Sequence, residues 1–277
     1  MRRRLFFKRL TYLLIFIIFV VAGIFILSGR TKKALQKLIV QDDITVMTYN
    51  IHHGVGTDNY YSLDRIARII RSYSPDLVCL NEVDRGTERT FGDDQARKIA
   101  AFLGMEFTFA KNLEFENGWY GNAVLSKLPI VFSENKIYKY KGSSERRGLL
   151  HVIVKISGER LHFFATHLGV DSLESAAEAK DLLNSVLDWG LEEPVIIAGD
   201  FNMEPHYQRI AELHYYFQDV GYYLENTGLT YPSLNPSKRI DYIFSNDKLS
   251  PIAAEVVDDE LTKQASDHLP FIVNFQF

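Results

Sequence analysis

Val195-Ile196-Ile197-Ala198-Gly199-Asp200-Phe201-Asn202 is the stretch on which the fold turns. Its apolar start is rich in β-branched residues and too short for a helix, so it reads as a buried strand. Glycine ends the run, and an acid and an amide follow at once. Polar groups set just past a buried strand are what an active site built on loop ends requires.

The same pattern repeats on either side. Ile44–Tyr49, Asp76–Leu80, Asn122–Leu125, Leu149–Ile156, Leu161–Thr166, Val195–Ala198, Ile240–Phe244 and Phe271–Phe275 all read as strands, bounded by Gly, Pro, Asp or Ser. Ser62–Tyr73 places Leu63, Ile66, Ala67, Ile69 and Ile70 on one helical face, with Ser62 as N-cap. Asp94–Leu103 and Ser172–Trp189 read as further helices. No repeat, low-complexity tract or Pro/Gly-rich linker divides residues 42–277, which read as one domain. Mixed strands and helices predict an α/β sandwich, its sheets packed together under outer helices.

Strand after strand ends in a residue able to bind a metal or handle a proton. These are Asn50, then Asn81-Glu82, His167, Asp200 with Asn202, Asp241, and Asp267-His268. Each has an ordinary reading by itself. Asn50 caps a turn, Glu82 is a solvated strand end, Asp200 makes an Asx turn, His167 bonds backbone in the core, and Asp241 pairs with Arg239. The combination is hard to explain by turns. Oxygen donors of this kind suit a hard cation such as Mg²⁺, which keeps waters and leaves room for a phosphate. One cysteine and no HExxH argue against zinc, and no GxxxxGK[ST] or GxGxxG run offers a nucleotide loop.

Composition narrows the class. The chain has 277 residues, 47% apolar, with the single cysteine Cys79, so disorder, collagen, coiled coil and a disulfide framework are excluded. Residues 1–40 hold nine bases and no acid, which leaves 22 bases against 35 acids elsewhere, a net of −13. A body of that sign repels polyanions and weighs against extended nucleic-acid binding. Leu10–Leu27 is an 18-residue uncharged run. Its length favours an uncleaved transmembrane anchor (10–29) over a signal peptide, between a basic N-terminal segment (1–9) and a basic linker (30–41). Five bases precede the run and four follow, a narrow preference for a single-pass protein of the cell membrane with its body extracytoplasmic.

The blocks MTYNIHHG (47–54), PDLVCLNEVD (75–84), YGNAVLSKLPI (120–130), RRGLLHVIV (146–154), FFATHLG (163–169), VIIAGDFN (195–202), RIDYIF (239–244) and SDHLP (266–270) together resemble the endonuclease/exonuclease/phosphatase superfamily, the deoxyribonuclease-I-like fold. The resemblance implies a four-layer α/β sandwich, two packed mixed β-sheets flanked by helices, here preceded by one transmembrane helix. It also implies phosphoester hydrolysis with Mg²⁺ (or Mn²⁺). By this resemblance Glu82 is the main metal carboxylate, Asn50 its neighbour, and Asp267 part of a second metal position or its water shell. Asp200 orients or deprotonates the attacking water, and Asn202 donates to the phosphoryl oxygen. His268, paired with Asp241, contacts the phosphate, and His167 is the second phosphate-facing histidine. Arg147 and Asn122 are expected to bind substrate. The lysines beside Arg147, at 136, 139 and 141, read as a solvated loop.

The expected activity is that of a membrane-anchored phosphoesterase acting on a lipid headgroup, glycolipid or other small phosphoester. A secreted or surface nuclease is the second reading. A catalytically inactive binding module is the third, opposed by the intact residue set. Phe115, Trp119 and Tyr120 are candidates for an apolar site mouth, with core packing the favoured reading for aromatics.

Overall fold

The computed structural model describes residues 43–140, 142, 145–223 and 228–277. The basic segment 1–9, the anchor 10–29, the linker 30–41 and Lys141 lie outside the described residues. No helix among the described residues is long and apolar enough to cross a membrane.

Strand β1 (Asp43–Asn50) shows how the layers arise. Ile44 and Val46 point to one side and Met47 and Tyr49 to the other, and all four are buried. A strand covered on both faces reads as a continuous apolar run, which is why composition finds it. Downstream lie α1 (Leu63–Tyr73), β2 (Leu77–Arg85), α2 (Gln95–Leu103), β3 (Glu106–Phe115), β4 (Gly118–Ser126), β5 (Ile130–Ile137), β6 (Gly148–Ile156) and β7 (Glu159–His167). These are followed by α3 (Ser172–Trp189), β8 (Val195–Asp200), α4 (Gln208–Leu213), β9 (Gln218–Asp219), α5 (Val220–Tyr223), β10 (Asp241–Ser245), β11 (Ser250–Val256), α6 (Glu260–Ala265) and β12 (Phe271–Gln276).

The strands form two six-stranded mixed sheets, ordered β11-β12-β1-β2-β4-β3 and β5-β6-β7-β8-β10-β9. Each contains one parallel pair, β1/β2 in the first and β7/β8 in the second. Val46, Leu77 and Val124 of one sheet pack against Val152, Phe163, Ala165 and Ile196 of the other. The outer face of the first sheet is covered by α1 and α2 through Ile66, Ile69 and Ile99. That of the second is covered by α3 and α4 through Leu182, Val186 and Ile210. The expected sandwich of two packed sheets under helices is what the chain forms. Helix starts follow the sequence: the Ser62 hydroxyl accepts from Arg65 N–H at 3.4 Å, and Asp171 accepts from Leu173 and Glu174 N–H.

A second histidine group sits on the outer face of the second sheet. His162 Nε2 lies 2.5 Å from Glu193 Oε2, and His162 Nδ1 lies 3.1 Å from His151 Nε2. An ionised carboxylate only accepts, so the proton of His162 is on Nε2, and His151 Nε2–H donates to the next ring. Burial pushes the His151 pKa down to about 3, with His162 and Arg160 adding to the effect. The unfolded ring takes a proton near pH 6.5 and the folded one refuses it, so stability is full above that pH and falls as pH drops towards 3. Between pH 6.5 and 4.5 we expect a loss on the order of 2 kcal/mol from this ring. Urea midpoints at the two pH values should show it, and His151→Leu should remove that share. Parallel pH slopes for the two proteins would rule His151 out as the source.

Candidate active site

Both parallel pairs end at the same pole of the sandwich. In the first sheet Asn50 of β1 stands beside Asn81 of β2. Between Leu80 and Val83, β2 bulges against β4, so Asn81 and Glu82 oppose the single residue Asn122. Glu82 adopts φ 57°. Such a bulge re-aims a side chain, and here Glu82 lines the cavity described below. In the second sheet His167, Asp200 and Asp241 lie side by side across β7, β8 and β10. Gly199 permits that register: its φ is 148°, and a Cβ there would come within 1.9 Å of Thr166 O. His52, His53 and Asn202 also have positive φ. Backbone strain of this kind concentrates at functional sites.

Asn50 Nδ2 ties the two sheets together. It donates to Glu82 Oε1 at 3.0 Å and to Asp200 Oδ2 at 3.1 Å, while its Oδ1 accepts from His52 N–H. Asp200 Oδ1 accepts from Asn202 N–H at 2.9 Å. Asp200 Oδ2 lies 3.5 Å from His167 Nε2 and 3.7 Å from His268 Nε2. His268 Nδ1 is 2.9 Å from Asp241 Oδ2, which also accepts from the Thr230 hydroxyl. The Tyr231 ring packs 4.8 Å from that of His268.

These contacts set the charges. Burial and the neighbouring Asp241 push the Asp200 carboxyl upward. Burial opposes charge on His268, but Asp241 and Asp200 outweigh it and raise its pKa, so His268 is cationic at neutral pH. For Glu82 burial works upward, and the donors around it, His53 and Asn50 among them, win and hold it well below the usual carboxylate range. Cys79 is buried with its thiol pushed up to about 12, which removes it as a nucleophile.

The structure gathers Glu82, His167, Asp200, Asn202, Asp267, His268 and Arg147 around one cavity of about 540 Å³. Asn50 and Asp241 sit directly behind it, each 1% exposed or less. Arg147 is buried against His167 and Glu145. Asn122 does not line the cavity. It is buried between the sheets, accepting from Asn81 Nδ2 at 3.0 Å and donating to Gly148 O at 3.3 Å. The substrate contact expected of it therefore gives way to a place in the scaffold. Of the three aromatics, Tyr120 lines the cavity, while Phe115 lies under Arg89 and Trp119 under Lys111. Lys136 donates to Ser185 on α3.

Other lining residues had no role in the sequence reading: His52, His53, Arg89, Glu145, Glu204, Tyr207, Tyr231 and Lys238. The paired histidines directly after the first strand end were the available signal. Asn81 was also missed as a scaffold residue. Its Oδ1 accepts from Asp200 N–H at 3.0 Å and its Nδ2 donates to Thr166 O at 2.7 Å. Asn81→Ala would leave these buried groups unpaired, so we expect about 3 kcal/mol lower stability. Chemical denaturation checks this, and a change below about 1 kcal/mol would show that water replaces the amide.

The donor set suits a divalent cation. Ligand atoms of His52, His53 and Glu82 lie within 4.8 Å of one another, and the buried His53 Nδ1 makes no hydrogen bond beyond its 3.9 Å approach to Glu82 Oε2. An ionised carboxylate on a polar cavity wall is a hard donor of the kind Mg²⁺ or Mn²⁺ takes. Asp200, Asp241 and His268 form a second group of the same reach. There Asp241 and His268 are already bonded to each other, so the better fit is at Glu82.

YbhP of Escherichia coli (strain K12) is 31% identical over 172 residues, 58% of this chain and 68% of YbhP. An endonuclease/exonuclease/phosphatase from Beutenbergia cavernae superposes with TM-score 0.65 at 26% identity, over 85% of this chain and 72% of that one. A mannosyl-6-phosphatase from Bacteroides thetaiotaomicron shares the fold, with TM-score 0.70 at 17% identity over 84% of this chain and 100% of that one. Family members are phosphoester hydrolases, generally dependent on a divalent metal. The model of the endonuclease/exonuclease/phosphatase family matches residues 47–268, and the chain belongs to that family.

Proposed function

We propose that this protein is a membrane-anchored, metal-dependent phosphoesterase. It hydrolyses a phosphodiester or phosphomonoester bond of a lipid headgroup, glycolipid or other small phosphoester by in-line attack of water. The observation that carries the reading is Asp200, buried at the cavity floor between two histidines in different electrostatic settings.

Asp200 orients the attacking water and takes its proton at a carboxylate oxygen. The His268 imidazolium, held by Asp241, donates to a phosphoryl oxygen as charge builds there. Asn202 adds an amide donor. Asn50 holds Glu82 and Asp200 at a fixed separation. Glu82, with His53 beside it and Asp267 lining the same cavity, would hold Mg²⁺ or Mn²⁺, which supplies Lewis-acid stabilisation of phosphoryl charge when bound.

A small ester suits the walls better than a polynucleotide. Arg89 is paired with Asp84 and Arg147 with Glu145, while Glu82, Glu145, Glu204 and Asp267 face the same space. Val170, 75% exposed, stands at the cavity edge with Leu173 nearby, an apolar rim that suits a lipid surface. Asn50 and Asp43 are about 23 Å apart along β1, so the site lies at the end of that strand opposite the point where the chain enters the domain.

The test is Mg²⁺-dependent hydrolysis by the full chain in detergent, against a phospholipid headgroup panel and plasmid DNA, with Asp200→Ala as control. Headgroup turnover without DNA cleavage supports the proposal. DNA cleavage lost in the control would move the protein to the surface nucleases.

A further inference from the structure

Arg147 points its charge at a neighbouring ring. The residue is 5% exposed. Its Nη1 lies 2.9 Å from His167 Nδ1 and 3.4 Å from the Tyr120 hydroxyl, and its Nη2 donates to Glu145 Oε2 at 2.6 Å. The guanidinium carbon is 5.9 Å from the Tyr120 ring centroid. Tyr120 and Glu145 thus hold the group in place against His167.

A guanidinium offers only donors and stays charged. The atom facing it must accept, so His167 Nδ1 carries a lone pair. The single proton of a neutral imidazole is then on Nε2. Nε2 lies 3.5 Å from Asp200 Oδ2 and 3.2 Å from Asn202 Nδ2. With the proton on Nε2, the approach to the Asn202 amide nitrogen is a contact and not a hydrogen bond. That amide donates instead to Leu168 O at 2.9 Å. The His167 Nε2–H therefore faces Asp200 Oδ2.

Charge on His167 is disfavoured as well. An imidazolium would set its Nδ1–H against the guanidinium N–H. Burial first and Arg147 second hold the pKa well below the usual histidine range, with His268 adding to them and Glu82 opposing. Asp200 also opposes, through the 3.5 Å approach.

We propose that Arg147 is a positioning residue that keeps His167 neutral and in the Nε2–H tautomer, giving the site one cationic and one neutral histidine donor. Arg147 acts through His167 and makes no direct contact with substrate phosphate. The kinetic consequences rest on the phosphoesterase reading, and the state of the ring does not.

Nitrogen-15 NMR of the full chain in detergent, with the ring assigned by its loss in His167→Gln, reads that state directly. The expected wild-type signal is Nε2–H with an unprotonated Nδ1, unchanged from about pH 5.5 to 8.5. Arg147→Met should give mixed tautomers and a ring that titrates inside that window. Arg147→Lys, with one ammonium donor, should restore the wild-type tautomer. In Mg²⁺-dependent hydrolysis of bis(p-nitrophenyl) phosphate, Arg147→Met should lower kcat roughly 100-fold and leave KM within about threefold. Adding it to His167→Ala should cost nothing further, because the two act as one unit.

A wild-type ring protonated on Nδ1 would overturn the proposal, as would unchanged ring signals in Arg147→Met. A raised KM with kcat retained would also overturn it and make Arg147 a direct substrate contact. If Arg147→Met fails to fold, the wild-type and Arg147→Lys spectra decide. If wild type hydrolyses no ester, the functional reading fails and the NMR result still decides the role of Arg147.

Discussion

Asp200→Asn is expected to slow phosphoester hydrolysis roughly 10³-fold while the fold survives. The carboxylate lies between the two histidines, 3.5 Å from His167 Nε2 and 3.7 Å from His268 Nε2, and an amide in its place accepts no proton. The structural cost is small because two terms oppose. One buried acceptor is lost, since a single amide oxygen cannot serve both Asn202 N–H and Asn50 Nδ2. One of two neighbouring buried carboxylates is neutralised, which relieves the repulsion from Asp241 that pushes Asp200 upward. Each is on the order of 1 kcal/mol. The melting temperature should therefore move by only a few degrees. Single-turnover rates and thermal melts on the same preparation check both halves. A variant within tenfold of wild type would remove Asp200 from the chemistry, and a collapsed melt would make it a structural residue.

Asp200 was legible before the structure because it follows an interior strand, and that holds for the whole sheet pattern. The strands read from composition were β1, β2, β4, β6, β7, β8, β10 and β12, all interior to their sheets. Those not read were β3, β5, β9 and β11, the four edges. An edge strand keeps one flank in water and is blunted with polar and charged residues, so it lacks the apolar run that marks a covered strand. β3 has Glu106, Lys111 and Glu114 among its aromatics, and β5 has Ser133, Glu134 and Lys136. The short helices α4, α5 and α6 were missed because one or two turns carry too little periodicity.

At the site, the acids and amides at or beside strand termini were readable, and residues from the longer loops were not. Tyr231 and Lys238 come from a loop that no period marks, and only the fold carries them to His268. Asn81 and Asn122 show a second limit. An amide beside a catalytic strand end reads as a ligand, but a buried amide between two sheets satisfies backbone groups that would otherwise be unpaired. Sequence gives the residue type in both cases, and burial decides which it is.

Glu82→Ala should remove the cation as well as the activity, and the two losses can be measured apart. A cation bound to the folded state alone stabilises it by mass action, about 2.7 kcal/mol at a hundred times its Kd. Wild type should therefore melt several degrees higher in excess Mg²⁺ or Mn²⁺ than in chelator. Glu82→Ala should show no such rise, because the ionised carboxylate on the cavity wall is gone and His52 and His53 remain as the other members of that group. Its melting temperature in chelator should lie close to the wild-type value, since Glu82 is half-buried and Asn50 keeps its bond to Asp200. Hydrolysis should fall by roughly 10³-fold, the scale of losing an electrostatic stabiliser of developing charge. Imidazoles bind Mn²⁺ more readily than Mg²⁺, so Mn²⁺ at high concentration should recover part of the activity. A variant that still gains stability from the cation would place the metal at Asp200, Asp241 and His268 instead, the second group of close ligand atoms. That outcome would leave Glu82 as a partner of Asn50 and His53 only and would require the proton transfer assigned to Asp200 to be moved to another group.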